Sequence, residues 1–527
     1  MSHATITYLV VGVAVVLFVW EIVAPELVAL GAALALYATG VIEADKVVAG
    51  FGDPAVIFIA SMMVVSESLD ATGVTAWAGE MLIDRFGDRP TLLVALMLLC
   101  AAVFSALITP NGAAAALIPV VIVMSRRIGI PPSQNLMPFA FATIAGSLLV
   151  LSGSPVNVLV SEAAGRASGH EFGYLTFALV GIPGVVGTIV LSLTAGRRLV
   201  PKRTPRTITP DLSRHTRTLH EQFELEPDVL AEHTADGELL ERDAGSVEVV
   251  IPPRSELIGE RMFPGMSNDE GDLVVLAIQR GGKDLHREVE LLAGDTLLLH
   301  GTWGTLDEKV PDLEVLPVDS PQAVRRQAVP LGPGAKRALV ILAGLVVVLI
   351  AGVVPPFVAA LVAACAVVIS GVLTTERAYR SISWTTVILV GGMFAVSAAV
   401  QQSGAAEHIA RLLVDAVGDA GPHVLLIGLF LITAVFGQLV SSTATALIVI
   451  PIAISAATEL HVSPRPVLMS VAVACTAAYL TPIATPANLM VMSPGGYRFG
   501  DYWKLGLCMM ALFFVIAVWL VPIFWSF

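Results

Sequence analysis

The chain has 527 residues, of which 56% are hydrophobic and 14% charged, with a mean hydropathy of +0.81. That balance excludes a string of soluble domains, because no water-exposed core consumes so much apolar sequence. The net charge of −13 points to no nucleic-acid partner, and about 25 of the 43 acidic residues fall between Asp211 and Asp319, leaving the apolar remainder nearly neutral. Cys100, Cys365, Cys475 and Cys508 stand alone in apolar segments without CxxC or Cys/His spacing, so they read as inert thiols and no transition-metal site is expected.

Taken in order, apolar runs predict membrane spans at 5–20, 27–41, 54–70, 138–163 and 174–195, each long enough for a hydrocarbon core of ~30 Å. The first run lacks a basic start and a small-residue cleavage site, so a retained span is expected there. Two shorter apolar helices, 92–108 and 112–126, are joined by Thr109-Pro110-Asn111-Gly112, a turn with no charge to hold it in water. They predict a re-entrant hairpin with its tip inside the membrane. Residues 199–335 turn charged and polar, which marks a soluble insert. The apolar pattern then restarts at 337–353, 356–371 and 385–402, continues as a second hairpin at 423–440 and 444–458 joined through Ser441-Ser442-Thr443, and ends with 467–491 and 503–525. Trp20, Trp503 and Trp525 read as interfacial anchors.

The two apolar stretches repeat each other. Ser66 to Gly73 aligns with Ser397 to Gly404 at an offset of 331, Thr109 to Pro119 with Ser441 to Pro451 at 332, and Ser152-Gly153-Ser154-Pro155-Val156-Asn157 with Ile483-Ala484-Thr485-Pro486-Ala487-Asn488 at 331. Three matches at one offset indicate a duplication. The expected fold is therefore an all-α polytopic membrane protein: transmembrane repeat 1 at 1–198, the insert at 199–335 and transmembrane repeat 2 at 336–527, each repeat with five spans plus a re-entrant hairpin. An odd number of spans inverts the second copy. Arg197, Arg198, Lys202, Arg203, Arg206, Lys336 and Arg337 flank the insert, so it is expected in the cytoplasm of a cell-membrane protein with both termini outside.

Within the insert, alternating strands are predicted at Val247 to Ile251, Leu273 to Gln279 and Thr296 to Leu299. Ile251-Pro252-Pro253-Arg254-Ser255-Glu256-Leu257-Ile258-Gly259 and Leu292-Ala293-Gly294-Asp295-Thr296-Leu297-Leu298-Leu299 resemble a TrkA-C domain, the C-terminal half of RCK regulators, over about 245–316. The resemblance implies a small α+β regulatory domain with an unidentified small-molecule ligand. Residues 207–244 read as a tether, and no GxGxxG follows a strand.

Pro and Asn with small polar residues interrupt an apolar helix at Ser152 to Asn157 and Ile483 to Asn488. A break frees backbone groups that lipid cannot satisfy, so each must line a cavity or bury against protein. Half-helix N-termini attract anions, while unwound carbonyls and half-helix C-termini hold cations. Residues 467–497 contain no Lys or Arg, and between 86 and 195 the only ones are Arg89, Arg126, Arg127 and Arg166, at loop or interfacial positions, so a bound anion would rely on helix ends and a co-bound cation. Glu67 and Asp70, three apart on one helical face, read either as functional intramembrane acids or as interfacial residues.

Hairpin, broken helix and repeat together resemble the divalent anion:sodium symporter family of the ion transporter superfamily, over essentially all of the membrane part. The resemblance implies substrate contacts at Thr109, Asn111, Ser441, Ser442, Thr443, Pro155, Pro486 and Thr485, and sodium ligands at Ser105, Thr109, Gly153, Asn157, Ser442, Ala484 and Asn488. It also implies a homodimer, sodium as coupling ion and no cofactor. Pro110 and Ser442 stand where the family has Asn, and Asn111 where it has Thr, which leaves proton coupling or exchange open. The expected function is secondary active transport of a small divalent anion such as sulfate or a di- or tricarboxylate. A channel gated by the insert is the rival, against which stands the lack of a TVGYG-like filter. No nucleophile-base constellation suggests an enzyme.

Overall fold

The computed structural model describes residues 2–20, 23–87, 89–203, 239, 244–268, 272–312, 315–318, 331–332, 334–417 and 421–527. The chain divides into two compact units, one of Met1–Ile208 with Pro333–Phe527 and one of Thr209–Gly332.

In the first unit, the N-terminal half runs through α1 (His3–Trp20), α2 (Pro25–Ala38), α3 (Ala44–Ala49), α4 (Pro54–Ala71), α5 (Val74–Phe86), α6 (Pro90–Leu107), α7 (Pro110–Arg127), α8 (Pro132–Gly146), α9 (Pro155–Ser168) and α10 (Ala178–Leu191). Helix α10 continues through a π turn, Ser192–Gly196, to Leu199. The C-terminal half begins after the insert, whose one described helix is α11 (Trp303–Asp312). It runs through α12 (Ala335–Ala351), α13 (Pro356–Ile369), α14 (Thr375–Ser381), α15 (Trp384–Gln402), α16 (Ala405–Val417), α17 (Pro422–Leu439), α18 (Ser442–Glu459), α19 (Pro464–Thr476), α20 (Pro486–Gly495) and α21 (Trp503–Val515). Helix α21 also continues through a π turn, Ile516–Leu520, to Phe524. The order of long and short helices is thus the same in both halves.

Proline sets many of the starts. It opens α2, α4, α6, α7, α8, α9, α13, α17, α19 and α20, where its fixed φ suits the first turn and its missing N–H costs nothing. In lipid that matters more than in water, because each orphaned N–H is expensive. Among the described residues, seven helical stretches are long and apolar enough to cross a bilayer, among them Pro90–Leu107, Pro422–Leu439 and Ser442–Glu459, and the protein is an integral multi-pass membrane protein.

Helices α6, α7 and α18 run one to three residues longer than the expected 92–108, 112–126 and 444–458, while α17 keeps the expected length. Each of α6, α7, α17 and α18 has 18 residues, about 27 Å at 1.5 Å per residue, so none is a short arm. Four helices, α3, α5, α14 and α16, occupy segments between the predicted spans, where the sequence pattern gives no element.

The second unit contains a five-stranded sheet ordered β4-β3-β6-β1-β7 and a separate β2-β5 pair, from β1 (Ala244–Val250), β2 (Arg261–Met262), β3 (Leu273–Arg280), β4 (Lys283–Asp284), β5 (Val289–Glu290), β6 (Thr296–Thr302) and β7 (Leu316–Pro317). Strand β1 pairs antiparallel with β6, Val247 opposite Leu299, so alternate apolar side chains pack against Trp303 at the start of α11. Gly245 is needed there, since a Cβ would lie 2.2 Å from the Trp303 ring. Arg280 clamps the buried Asp295 through two 2.7 Å hydrogen bonds. Against the cost of burial, these bonds and the Leu292 N–H hold the Asp295 carboxyl below the usual range.

Candidate functional site

The breaks come first. Helix α8 stops at Gly146 and α9 starts at Pro155, while α19 stops at Thr476 and α20 starts at Pro486. Each new helix is capped by the residue before its proline: Ser154 accepts the Val156 N–H at 3.2 Å, and Thr485 accepts the Asn488 N–H at 3.4 Å. The freed carbonyls are met from within the motif. Asn157 Nδ2 donates to Ser147 O at 2.8 Å and Val150 O at 2.9 Å, ten and seven residues earlier. Asn488 Nδ2 donates to Ala478 O and Thr481 O, both at 3.2 Å and again ten and seven residues earlier.

Both asparagines are fully buried, and among the described residues neither Oδ1 meets a donor. An unsatisfied buried acceptor costs about 1–3 kcal/mol, a cost that a cation held at the oxygen would remove. Gly153 lets the first break fold tightly, for a Cβ would sit 2.3 Å from Ser147 O.

The hairpin tips are built alike. Thr109 caps α7 by accepting the Gly112 N–H at 3.2 Å, and Ser441 caps α18 by accepting the Ala444 N–H at 3.4 Å. Ser66 on α4 donates to Ile108 O at 2.7 Å and fixes the approach to the first tip. Ser442 donates to Cys475 O at 3.1 Å, tying the second tip to α19.

Both tips and both breaks line one cavity of about 420 Å³. Thr109, Asn111, Pro155, Ser441, Ser442, Thr443, Ala484, Thr485 and Pro486 all face it, so the N-termini of α7, α9, α18 and α20 meet there. Ser105, Gly153, Asn157 and Asn488 are not among its lining residues. The Ser105 hydroxyl turns instead onto Thr143 O at 2.5 Å, bracing α6 against α8. Gly153 lies in the first break and the two buried asparagines in the first turns of the helices that follow the breaks, none of them on the cavity lining.

Among the described residues, no lysine or arginine lines this cavity. Glu67 and Asp70 do, beside Ser381, Ser383 and Thr386. Glu67 accepts a 3.0 Å hydrogen bond from Arg377 Nε on α14. The sequence reading overlooks Arg377, though a signal exists: Lys46 stands 331 residues earlier, in the matching short helix α3. It also overlooks Ser147 and Thr476, small polar residues at the last turns before the breaks.

A second cavity, of about 440 Å³, is lined by Ser397, Ala398 and Gln401, the repeat mates of Ser66, Glu67 and Asp70. No tip residue reaches it. Arg166 of α9 sits at its edge, donating to Asp53 Oδ2 at 2.7 Å and Glu162 Oε2 at 3.3 Å, with its guanidinium 5.8 Å from the Phe394 ring. The Asp53 bond joins α9 to the N-cap of α4, the Glu162 bond lies within α9, and the ring belongs to α15.

The profile of the citrate transporter family matches residues 15–461 and 416–527. The chain is 29% identical to the uncharacterized transporter YfbS of Escherichia coli K12, over 98% of both chains. It is 23% identical to the probable sodium/sulfate cotransporter 3 of Chlamydomonas reinhardtii, over 49% of this chain and 30% of that one. With Na(+)/dicarboxylate cotransporter 3 of Rattus norvegicus it shares 28% identity, over 26% of this chain and 23% of the relative.

Proposed function

The chain belongs to the citrate transporter family, and from that premise we propose that it is a secondary active transporter moving a small divalent anion, sulfate or a di- or tricarboxylate, coupled to sodium by alternating access. The observation that carries this reading is the meeting of four capped helix N-termini at one cavity, with two asparagine oxygens, orphaned among the described residues, in the first turns of two of those helices. Each N-terminus carries about +0.5 of a charge, so the four supply roughly +2, matched to a dianion. The asparagine oxygens supply the opposite preference, for a small hard cation. Relatives named as sodium/sulfate and sodium/dicarboxylate cotransporters fit both.

In this reading Thr109, Asn111, Ser441, Ser442 and Thr443 contact the anion, while Asn157 and Asn488 anchor one sodium in each half. Ser105, spent on Thr143 O, positions the first hairpin rather than binding the ion. The repeats enter the membrane in opposite senses, the insert is cytoplasmic, and its TrkA-C-like sheet adjusts transport. The test is uptake of labelled sulfate or succinate into proteoliposomes with sodium and proton gradients imposed separately. Accumulation driven by sodium is expected; uptake indifferent to both gradients rules out symport.

Proton coupling is the second reading, and a specific observation favours it: Glu67 and Asp70 line the cavity directly. Its signature is accumulation driven by the proton gradient alone and lost in Glu67→Gln.

A further inference from the structure

A third cavity, of about 770 Å³, lies at the far end of α20 from the transport site. The N-terminal Pro486 of that helix lines the transport cavity, whereas Leu489, Met492 and Gly496 line this one. Its walls are basic: Lys202 and Arg203, at the end of the first half, face Arg498 in the loop after α20. Arg203 is fixed, donating to Asp501 at 2.7 and 2.9 Å through its side chain and to Ser133 Oγ at 3.0 Å through its backbone. Its charge is therefore spent. Lys202 and Arg498 are exposed, and among the described residues neither closes an ion pair.

The floor is rigid. Tyr497 is buried, donates its hydroxyl hydrogen to Ser133 O and accepts the Met137 N–H at 3.0 Å. The rim is apolar and open: Leu489 is 53% and Phe499 54% exposed. Trp503 is also exposed, with Lys504 Nζ 6.0 Å from its ring centroid, the pairing of aromatic and cation found where a helix leaves the bilayer.

Lys202, Arg203 and Arg498 share the single carboxylate of Asp501, and the excess positive charge outweighs the roughly −0.5 charge at the α20 C-terminus, so the pocket attracts an anion despite the helix dipole. A free inorganic anion would leave Leu489 and Phe499 uncovered. A phosphate carrying acyl chains satisfies both, with the headgroup between Lys202 and Arg498 and the chains along the rim. We propose that this cavity is a binding site for the phosphate headgroup of an anionic phospholipid.

The experiment is native mass spectrometry of the full-length protein released from nanodiscs containing equal phosphatidylglycerol and phosphatidylcholine. Wild type should retain phosphatidylglycerol in preference, and Lys202→Ala/Arg498→Ala should lower that preference by roughly 30-fold, from about 1 kcal/mol per basic side chain. Lys202→Arg/Arg498→Lys should keep it. A parallel arm adds millimolar inorganic phosphate, which should displace no phosphatidylglycerol. Equal retention of the two lipids by wild type overturns the proposal without any variant being needed. So does unchanged preference in the double alanine variant, and displacement by phosphate would assign the pocket to a soluble anion instead.

Discussion

The two halves of the membrane unit repeat one helical plan but equip it differently. The breaks are near-identical: Asn157 and Asn488 bridge carbonyls ten and seven residues back, and both leave an oxygen unpaired among the described residues. The tips diverge. The second presents Ser441, Ser442 and Thr443 where the first presents Thr109, Pro110 and Asn111, and the buried Thr445 hydroxyl, unpaired among the described residues, stands where the first half has Ala113. The braces diverge too. Gln438 ties the second hairpin to its break, donating to Ala477 O at 3.1 Å and accepting the Leu480 N–H at 3.0 Å. At the matching place in the first half, the Ala106 carbonyl accepts from Ser152 at 3.3 Å, and Ser152 bonds Tyr174 at 2.8 Å. Opening a membrane helix admits few solutions, so the break is held constant; the tip only has to present polar groups, and it is free to vary.

The sharpest way to break this comparison is to remove the shared amide. Asn157→Ala and Asn488→Ala should each cut uptake at least tenfold in protein that still unfolds cooperatively, since each variant strands two buried carbonyls and deletes the orphaned oxygen. Normal uptake by one of them would show that the halves are not equivalent at the break. A smaller effect is expected at the tips. Asn111→Ala and Thr443→Ala should each weaken anion binding about fivefold, the worth of about 1 kcal/mol for one hydrogen bond, and equilibrium binding of labelled anion measures it.

The acids distinguish the halves by charge, Glu67 and Asp70 against Ala398 and Gln401. Under sodium coupling, Glu67→Gln should slow uptake by no more than about threefold and leave the sodium response intact; loss of a proton-driven component would move the account to the second reading. The smallest change is expected for Arg166→Ala. Its side chain is 60% exposed, so its ion pairs contribute no more than about 1 kcal/mol. Labelling of a cysteine at Ser397 should rise a few-fold as the second cavity loosens, and unchanged labelling would mean that Arg166 does not hold that side.

Much of this was legible in the residues. Pro155 and Pro486 with Asn157 and Asn488 have few uses in an apolar run, so both breaks and both tips could be placed, and the strands around Val247, Leu273 and Thr296 followed from alternation. The short helices α3, α5, α14 and α16 were not. Their charges and their length of 6 to 13 residues make them look like loops, because what makes them helical is the neighbouring surface they lie on. Arg377 was hidden for the same reason. Ser105 points the other way: a hydroxyl one turn from a tip resembles a ligand, and only the packing of α6 on α8 reveals that Thr143 O takes its hydrogen.

The central claim is that the helix ends and the asparagine oxygens act as one coupled site. Equilibrium binding of labelled anion to the purified protein, titrated with sodium at constant ionic strength, tests it most directly. Anion affinity should rise with sodium in wild type and lose that dependence in Asn488→Ala. Anion binding that is tight and indifferent to sodium in wild type would contradict the account.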